Sequence, residues 1–252
     1  MTSKISIITA TFNSSQFIDE LAGCIFNQSY ENWEWLIVDD CSTDDTVEHL
    51  RQLESKDERI KVFVNKVNSG AAVTRNVALA NATGDYLAFV DSDDLWYPEK
   101  LQKQLGFMSE NNYLFSFTAY SLITEAGEEK SVFIDLNNKK NSFDYDDMLC
   151  KKATLGCSTV MIKKNIIDDL RMPLLRTGQD YAFWLKILNE NKRAYLLKES
   201  LTQYRIVANS ISRNKFKKAA RQWQIYRKVE GLTLLKSMYC FVNYAYRAVF
   251  RG

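Results

Sequence analysis

The sequence predicts an α/β fold with a mostly parallel central sheet and helices on both faces. Apolar, β-branched runs alternate with amphipathic helical segments from residue 4 to about residue 112, and this alternation is typical of βαβ units. Each apolar run ends in a polar turn, and ligands of such folds bind at the carboxyl ends of the strands. With 252 residues, of which 46% are hydrophobic and 25% charged, the chain is long enough for one large domain.

The first two units follow this pattern closely. Residues 4–11 (KISIITAT) are expected to form a buried parallel strand, after which Asn13 or Ser14 caps a helix. Residues 35–38 (WLIV) are expected to form the second strand. Residues 42–45 (STDD) have the spacing of a capping box, which predicts that the second helix begins there.

The third unit is predicted from residues 60–65 (IKVFVN), a strand, and from residues 68–70 (NSG), which open a helix. Arg75 is expected to point away from the core face of this helix. That face is expected to carry three apolar residues, Val73, Val77 and Ala80.

The fourth strand, residues 86–90 (YLAFV), leads directly into Asp91, Ser92, Asp93 and Asp94. Three carboxylates in four residues repel one another, so a divalent cation among them would be stabilising. Oxygen ligands on a loop favour Mg²⁺ or Mn²⁺ over Zn²⁺. The alternative is a solvated acidic turn in which Asp94 caps the next helix.

From residue 113 the pattern becomes strand-rich, and it looks mixed rather than parallel. The segment Thr177 to Asp180 (TGQD) leads into a helix with Phe183 and Trp184 on one face. No clear linker interrupts this half, so residues 1–214 are predicted to form one domain. Strands are expected at residues 113–123, 131–136 and 155–163, and residues 195–206 are expected to end the folded body.

Residues 215–252 form a basic, aromatic tail. This segment has a net charge of +8, whereas residues 1–214 have a net charge of −6. Glu230, Lys236 and Arg247 interrupt its apolar run, so no membrane-spanning helix is expected. Basic amphipathic helices with aromatic residues suit an anionic membrane surface. The alternatives are packing against the preceding domain or an oligomer contact; no nucleic-acid partner is expected, because the acidic body would repel phosphates.

The cysteine pattern and the amino terminus indicate the compartment. The five cysteines are odd in number and include no CxxC pair, which argues against a disulfide framework and against a thiolate zinc site. The sequence begins without the apolar core and cleavage site of a secretory signal. A cytoplasmic protein, peripheral on the inner face of the cell membrane through its tail, is therefore expected.

Six motifs occur in an order and spacing that resemble one known family. They are ISIITATFN, LIVDDCSTDDT, NSGAAVTRNVALANATGDYLAFVDSDDLWYPEKL, CSTVMIKK, GQDYAFWLKI and YRI. Over about residues 4–212, the chain resembles the family 2 inverting glycosyltransferases, whose fold is called GT-A. The resemblance implies a catalytic domain at 1–214, with a nucleotide-binding half of about 1–112 and an acceptor half of about 113–214, before the helical tail at 215–252.

The resemblance implies that the loop after the first strand and the DDxS turn hold the nucleobase, through Thr11, Asn13 and Asp40. A carboxylate can accept the N3 proton of uracil, so Asp40 favours a UDP-sugar donor. The arginine of the TRN motif, Arg75, would pair with phosphate. The alternatives are a helix-capping role for Asp40 and a plain surface salt bridge for Arg75.

The DSD triplet resembles the metal motif of the family. The resemblance implies that Asp93 ligates Mn²⁺ or Mg²⁺, which would neutralise the charge that develops on the leaving UDP. Asp91 would contact the ribose or a metal-bound water. Ser92 is also expected to bind the nucleotide sugar. Asp180 would be the catalytic base that takes the proton of the acceptor hydroxyl while the anomeric carbon inverts; a helix cap is the alternative.

Ser158 and Trp184 are possible acceptor-site residues, although an aromatic residue at the position of Trp184 is more often part of the core. Gln179 replaces the usual glutamate of the family's ED motif, and Ala10 stands where a proline is frequent. Many members also have a histidine where this chain has Val207, so its metal affinity is expected to be modest.

These observations together predict a metal-dependent, inverting glycosyltransferase. It would move a sugar from a UDP-sugar to a hydroxyl of a lipid-linked saccharide in bacterial surface polysaccharide biosynthesis, such as that of O-antigen. One alternative is a sugar nucleotidyltransferase, although TATFNSS lacks the glycine-rich phosphate loop that such enzymes usually carry. Another is a catalytically idle module that binds a nucleotide sugar and carries a membrane-docking tail.

Overall fold

The computed structural model describes residues 2–207 and 215–250, in which helices flank one large sheet. The strands are β1 Ile5–Thr11, β2 Trp33–Asp39, β3 Ile60–Val64, β4 Tyr86–Phe89, β5 Leu95–Trp96, β6 Phe115–Ile123, β7 Glu129–Ile134, β8 Ser142–Phe143, β9 Val160–Lys163 and β10 Ala194–Arg205. The helices are α1 Ser15–Phe26, α2 Thr46–Lys56, α3 Ala71–Asn81, α4 Lys100–Glu110, α5 Tyr145–Leu149, α6 Gln179–Asn189, α7 Lys215–Gln224 and α8 Leu234–Phe250. A 3₁₀ turn spans Cys157–Thr159, and a π-helical turn spans Ile225–Val229.

The sheet is parallel in its first half and mixed in its second, which confirms the predicted α/β class. The strand order is β3-β2-β1-β4-β9-β6-β10-β5, with β7 paired to β6 and β8 to β10. Strands β3, β2, β1 and β4 are mutually parallel, whereas β9 runs antiparallel to both β4 and β6. Because Thr11 pairs with Asp39 and Ile8 with Phe89, the carboxyl ends of β1, β2 and β4 meet at one edge of the sheet.

The second helix begins later than the capping-box spacing predicts. α2 begins at Thr46, and the side chain of its N-cap residue, Asp45, makes no capping hydrogen bond. Ser42 instead donates its backbone N–H and its hydroxyl to the carboxylate of Asp39, at 2.8 and 2.5 Å. The prediction that a helix begins at residues 42–45 is wrong because Ser42, which would have capped it, is hydrogen-bonded to Asp39 instead.

The strand predicted at residues 155–163 is correct only in its second part. Val160–Lys163 forms β9, but the preceding residues Cys157–Thr159 form a 3₁₀ turn. The Thr159 N–H closes this turn by donating to the carbonyl of Gly156 at 3.0 Å. The turn brings Ser158 beneath the loop that follows β4.

α3 buries a different face from the one predicted. Arg75 is only 5% exposed, whereas Ala80 is exposed and Val73 and Val77 are half-buried. The helix packs on β1 and β2, and the two valines line a cavity together with Met172. The buried residues of the helix are Ala72, Thr74, Arg75, Ala78 and Leu79.

The tail packs against the body of the protein, which was one of the alternatives considered for it. Its buried residues Ile225, Tyr226, Leu232 and Cys240 belong to the same hydrophobic cluster as the core of the body. The Tyr226 hydroxyl donates to the carbonyl of Leu149 at 2.5 Å. In the ranges 2–207 and 215–250, no helix is both long and apolar enough to cross a membrane.

A buried carboxylate, Glu34 near the start of β2, joins the amino-terminal ends of β1, β2, β3 and β4. Its side chain is 2% exposed and accepts hydrogen bonds from the hydroxyl of Ser6 at 2.7 Å, from the N–H and hydroxyl of Thr83 at 2.7 and 2.8 Å, and from Lys4 and Lys61 at 3.0 Å each. Burial alone would raise the pKa of Glu34, but these donors outweigh burial and hold the pKa well below its usual range.

Replacing this carboxylate by Glu34→Gln should lower the free energy of unfolding by about 3 kcal/mol at pH 7, because buried donors lose their charged acceptor. The lowered folded-state pKa means that the stabilisation is present above the unfolded pKa of about 4.3 and is lost as the pH falls through the folded-state value. Urea unfolding at pH 7 and pH 3 should therefore show a smaller difference between wild type and variant at pH 3. The exposed neighbour provides a control, Glu31→Gln, which should change stability by less than about 0.5 kcal/mol. Equal stability of wild type and Glu34→Gln at pH 7 would contradict this assignment.

Candidate active site

The loop after β4, residues 91–94, is called here the carboxylate loop. Asp94 is 1% exposed; it accepts from the hydroxyl of Ser158 at 2.5 Å and from the backbone N–H of Arg205 at 2.9 Å. Burial, followed by the charges of Asp93 and Asp91, raises the pKa of Asp94. Asp94 therefore fixes the loop by its bonds to Ser158 and Arg205. It does not cap α4, whose N-cap residue is Glu99.

Arg205, at the end of β10, fixes the backbone of the carboxylate loop. Its side chain is 2% exposed, and its Nε donates to the carbonyl of Asp93 at 2.7 Å. The two terminal nitrogens donate to the carbonyl of Glu125 at 2.8 Å and to Glu20 at 2.6 Å. The guanidinium also lies over the ring of Phe17, at 5.1 Å from its centroid. The position of Asp93 is thus set by its backbone, independently of its carboxylate.

Arg75, on α3, forms an ion pair with the carboxylate loop. Its Nη2 donates to Asp91 at 2.5 Å, while its Nε and Nη1 are buried and have no hydrogen-bond partner among the described residues. Burial would lower the pKa of Arg75, but Cys157, Asp91 and Asp180 act on the guanidinium in the opposite sense, and its pKa is raised. Arg75 is therefore not a surface salt bridge. A buried guanidinium with two unused N–H directions is suited to pair with a phosphate.

The carboxylate loop offers few ligands of its own to a metal. Within residues 2–207 and 215–250, no group of three or more His, Cys, Asp or Glu side chains is arranged to hold one. Burial, and then the charge of Asp91, raises the pKa of Asp93 to about 6. A cation beside Asp93 would offset this repulsion, and Mg²⁺ in particular is often held by one or two carboxylates together with substrate phosphates. The residues present fit a divalent cation that takes most of its ligands from a diphosphate and from water.

Asp40 lies at the end of β2 and is 4% exposed. Its Oδ1 accepts from the side-chain amide of Asn65 at 2.9 Å and from the N–H of Ser69 at 2.8 Å, and its Oδ2 accepts from the N–H of Gly70 at 2.7 Å. Burial would raise the pKa of Asp40, but these donors lower it overall. A carboxylate oxygen has two acceptor positions, so Oδ2 keeps one position for a further donor.

The loop after β1 is joined to the neighbouring turns. Asn13 has a positive φ of 48° and accepts from the N–H of Thr43 at 2.9 Å. Ser92 shares a hydrogen bond of 3.0 Å with Ser14, which is at the N-cap position of α1 but makes no capping bond through its side chain. The hydroxyl of Thr11 is buried without a partner among the described residues. Binding of the nucleotide sugar by Thr11, Asn13 and Ser92 remains a prediction.

Asp180 lies in the first turn of α6, where a negative charge is favoured by the helix dipole. The N-cap residue is Gly178, with a positive φ of 72°, so Asp180 does not cap the helix. A Cβ at Gly178 would lie 2.8 Å from Cδ of Arg221 and 3.2 Å from Cδ1 of Ile225. The glycine thus lets the tail pack directly over the start of α6, and Asp180 and Arg221 line one cavity of about 440 Å³.

The two residues predicted for an acceptor site are used elsewhere. Trp184 is 0% exposed and packs in the core against Phe89 and Phe115, at centroid distances of 5.2 and 5.5 Å. Ser158 is 2% exposed, and its hydroxyl donates to Asp94 and accepts the N–H of Asp91. These predictions are wrong because neither side chain is accessible to an acceptor; Ser158 is a positioning residue of the carboxylate loop.

Several residues that build the site could not be identified from the sequence patterns. Arg205 lies inside the YRI motif, but a charged residue at a strand end carries no local sign of its partners. Asn65 and Ser69 follow β3 and could have been suspected from their position at the strand's carboxyl end. Arg221 reaches the site only because the tail folds back onto α6.

The comparisons with known proteins identify the family. The family described as Glycosyl transferase family 2 matches residues 6–171. The chain is 46% identical over 245 residues to the glycosyltransferase TuaG of Bacillus subtilis (strain 168), named for teichuronic acid biosynthesis, and the match covers 97% of this chain and 96% of TuaG. It is 34% identical over 222 residues to WfgD of Escherichia coli, a UDP-Glc:alpha-D-GlcNAc-diphosphoundecaprenol beta-1,3-glucosyltransferase, covering 88% of this chain and 84% of WfgD.

Solved structures show the same fold. S. aureus TarS 1-349 in complex with UDP-GlcNAc superimposes with a TM-score of 0.73 at 23% identity, over 89% of this chain and 64% of that chain. The mannosyltransferase PcManGT from Pyrobaculum calidifontis, in complex with GDP-Man and Mn²⁺, gives a TM-score of 0.72 at 18% identity, over 98% of this chain and 70% of that chain. The predicted GT-A fold is confirmed. Sequence and fold agree, and the chain is a glycosyltransferase that belongs to glycosyltransferase family 2.

Proposed function

We propose that the chain is a metal-dependent, inverting glycosyltransferase that moves a sugar from a UDP-sugar to a hydroxyl of a lipid-linked saccharide in bacterial surface polysaccharide assembly. The observation that carries this proposal is the position of Arg75. Its buried guanidinium donates to Asp91 at 2.5 Å and is also under the charge of Asp180. Arg75 therefore places a positive charge on the expected leaving-group side of the site and keeps two N–H groups for a diphosphate.

The donor nucleotide is inferred from Asp40 and from the relatives. Asp40 keeps one acceptor position on Oδ2, which suits the N3–H of uracil. WfgD and a second Escherichia coli relative, WfaP, at 34% identity, are both named for transfer from UDP-Glc. UDP-glucose is accordingly the first donor to test.

In the proposed reaction, Asp180 accepts the proton of the acceptor hydroxyl as its oxygen attacks the anomeric carbon from the face opposite UDP. The bond between the anomeric carbon and the diphosphate oxygen breaks with inversion, and UDP leaves with the bonding electrons. Arg75 stabilises the negative charge that develops on the diphosphate. A divalent cation held by Asp93 would add Lewis-acid stabilisation of the same charge.

The acceptor class and the cellular location rest on the relatives and on the tail. WfgD and WfaP are named for a GlcNAc-diphosphoundecaprenol acceptor, and such a lipid resides in a membrane. The outward face of α8 is apolar, with Leu235 81%, Val242 67% and Tyr239 65% exposed. With the excess of basic residues in the tail, this face suits an anionic cytoplasmic membrane surface.

Membrane docking can be tested without removing the tail, whose inner face belongs to the core. A charge on the outward face, Leu235→Asp, should weaken binding to phosphatidylglycerol-containing vesicles at least about tenfold, because burial of one aliphatic side chain contributes about 1.5–3 kcal/mol. An equally exposed site on the body provides the control, Leu174→Asp. Unchanged sedimentation of Leu235→Asp with vesicles would refute docking through α8.

The function itself is tested by transfer of isotope-labelled sugar to GlcNAc diphosphate carrying an alkyl chain. We expect label from one UDP-sugar to enter the acceptor in the presence of Mn²⁺ or Mg²⁺, and the product linkage to have the inverted anomeric configuration by NMR. Transfer from a GDP- or dTDP-sugar in preference to every UDP-sugar would overturn the donor assignment. Retained configuration would overturn the mechanism.

A further inference from the structure

A basic cavity of about 440 Å³ lies between the body and the tail, beside Asp180. The body contributes Asp180 and Lys151 to its lining, and the tail contributes Lys218, Arg221 and Arg247. Asp180 is the only carboxylate among the described residues that line it. The volume is within the range of small-molecule sites, about 300–1,000 Å³.

Two arginines of this cavity keep N–H groups that are unpaired within the described part of the chain. The Nε atoms of Arg221 and Arg247 are buried and have no hydrogen-bond partner among the described residues. Burial lowers the pKa of Arg221, although Asp180 acts in the opposite direction, and burial together with Arg221 lowers the pKa of Lys218. Cations that are crowded and partly desolvated in this way are stabilised by a bound anion.

Two features direct an anion to this place. The cavity lies at the N-terminus of α6, an 11-residue helix whose dipole favours negative charge. Close packing at Gly178 keeps Arg221 against that terminus. A dianionic or trianionic ligand would therefore meet both the helix end and the tail guanidinium groups.

The basic lining continues away from Asp180. A second cavity, of about 410 Å³, shares Arg247 and is also lined by Asp135 and by Lys139, Lys140 and Lys152, of which Lys140 and Lys152 are paired with Asp147. Arg247 is on α8, the helix whose outward face is apolar. Arg247 thus belongs both to the cavity beside Asp180 and to the helix suited to contact lipid.

We propose that this cavity binds the diphosphate group of a lipid-linked acceptor and thereby presents the hydroxyl of the attached sugar to Asp180. The inference rests on the proposed function, because it assigns a site to the anionic part of that acceptor. Arg221 and Arg247 donate to the diphosphate oxygens, and Lys218 adds charge at the rim. The tail is then part of the acceptor site as well as part of the core.

The first experiment measures binding alone. Calorimetry in metal-free buffer should show that decyl diphosphate binds the wild-type protein and that Arg221→Gln weakens this binding about 10- to 100-fold, the loss of one charge-assisted hydrogen bond. The matched control removes a tail cation that does not line the cavity, Lys228→Gln, and should bind as wild type does. Because Arg221 packs on Gly178, the exposed Lys218 provides a second variant, Lys218→Gln, with an expected loss of about 3- to 10-fold. Unchanged binding by folded Arg221→Gln and Lys218→Gln would overturn the site.

The second experiment measures transfer to two acceptors, decyl GlcNAc diphosphate and the uncharged decyl GlcNAc glycoside. Wild type should prefer the diphosphate in kcat/KM, and Arg221→Gln should lose about tenfold or more of that preference. Equal use of both acceptors by wild type would refute the inference and leave the proposed function standing. If wild type transferred sugar to neither acceptor while decyl diphosphate still required Arg221 for binding, the anion site would stand and the proposed acceptor would fail.

Discussion

Replacing the proposed base by Asp180→Asn should lower kcat for sugar transfer by about 10³-fold, within the range of about 10²–10⁴ that general-base catalysis contributes. Asparagine has nearly the same shape as aspartate but cannot accept the proton of the acceptor hydroxyl. Asp180 lies in the first turn of α6 beside a cavity, so its replacement removes no core packing. Affinity for UDP should change little, because UDP is expected to bind beside Arg75 and Asp91, and Asp180 is expected to contact only the acceptor.

The measurement is single-turnover transfer of labelled sugar, together with calorimetric titration of UDP. A surface carboxylate on α1, which is 76% exposed, provides the control: Asp19→Asn should retain wild-type turnover. Normal turnover by Asp180→Asn would exclude Asp180 as the base. A loss of UDP affinity comparable to the loss of kcat would instead assign Asp180 to donor binding.

Removing the charge of the proposed metal ligand by Asp93→Asn should lower kcat by about 10³-fold and abolish the enhancement of UDP binding by Mn²⁺. A cation adds several kcal/mol of stabilisation to the developing charge of a leaving diphosphate. The free protein should keep its stability, because Arg205 holds the backbone of residue 93 and because the like charge of Asp91 already disfavours the ionised Asp93.

Thermal shift of the variant with UDP, with and without Mn²⁺, separates these effects. In wild type, Mn²⁺ should increase the shift that UDP produces, and in Asp93→Asn the two shifts should coincide. The same exposed aspartate on α1, changed as Asp19→Asn, should behave as wild type does. A variant that retained the Mn²⁺-dependent increase would place the metal on other ligands.

The alternating units of the first half could be predicted because strand and helix periods are local properties of the chain. Each of the first four strands lies within one or two residues of its predicted bounds. The convergence of Asp40, Asp91 and Asp93 at one edge follows from the parallel order of β1, β2 and β4, which right-handed βαβ units impose. The error at α2 arose because the strand-end carboxylate of Asp39 bonds Ser42, and the error at α3 arose because Arg75 pairs with Asp91, which follows another strand.

Arg75 illustrates the limit of helical periodicity. A charged residue is normally placed on the solvated face, yet Arg75 is 5% exposed because Asp91, on a neighbouring strand end, offers it a charged partner. Trp184 illustrates the opposite error, since its place one turn after Asp180 suggested an acceptor contact. Its ring instead fills the core between β4 and β6, and none of its surface is accessible.

The sequence by itself determined the fold class, the family motifs and the strand ends on which the carboxylates lie. Only the tertiary structure decided that Arg205 holds the carboxylate loop, that Arg75 is buried and pairs with Asp91, and that the basic tail folds over the start of α6. The physical reason is that apolar periodicity specifies which faces are buried, whereas an ion pair or a bound tail depends on which distant groups packing brings within hydrogen-bond distance.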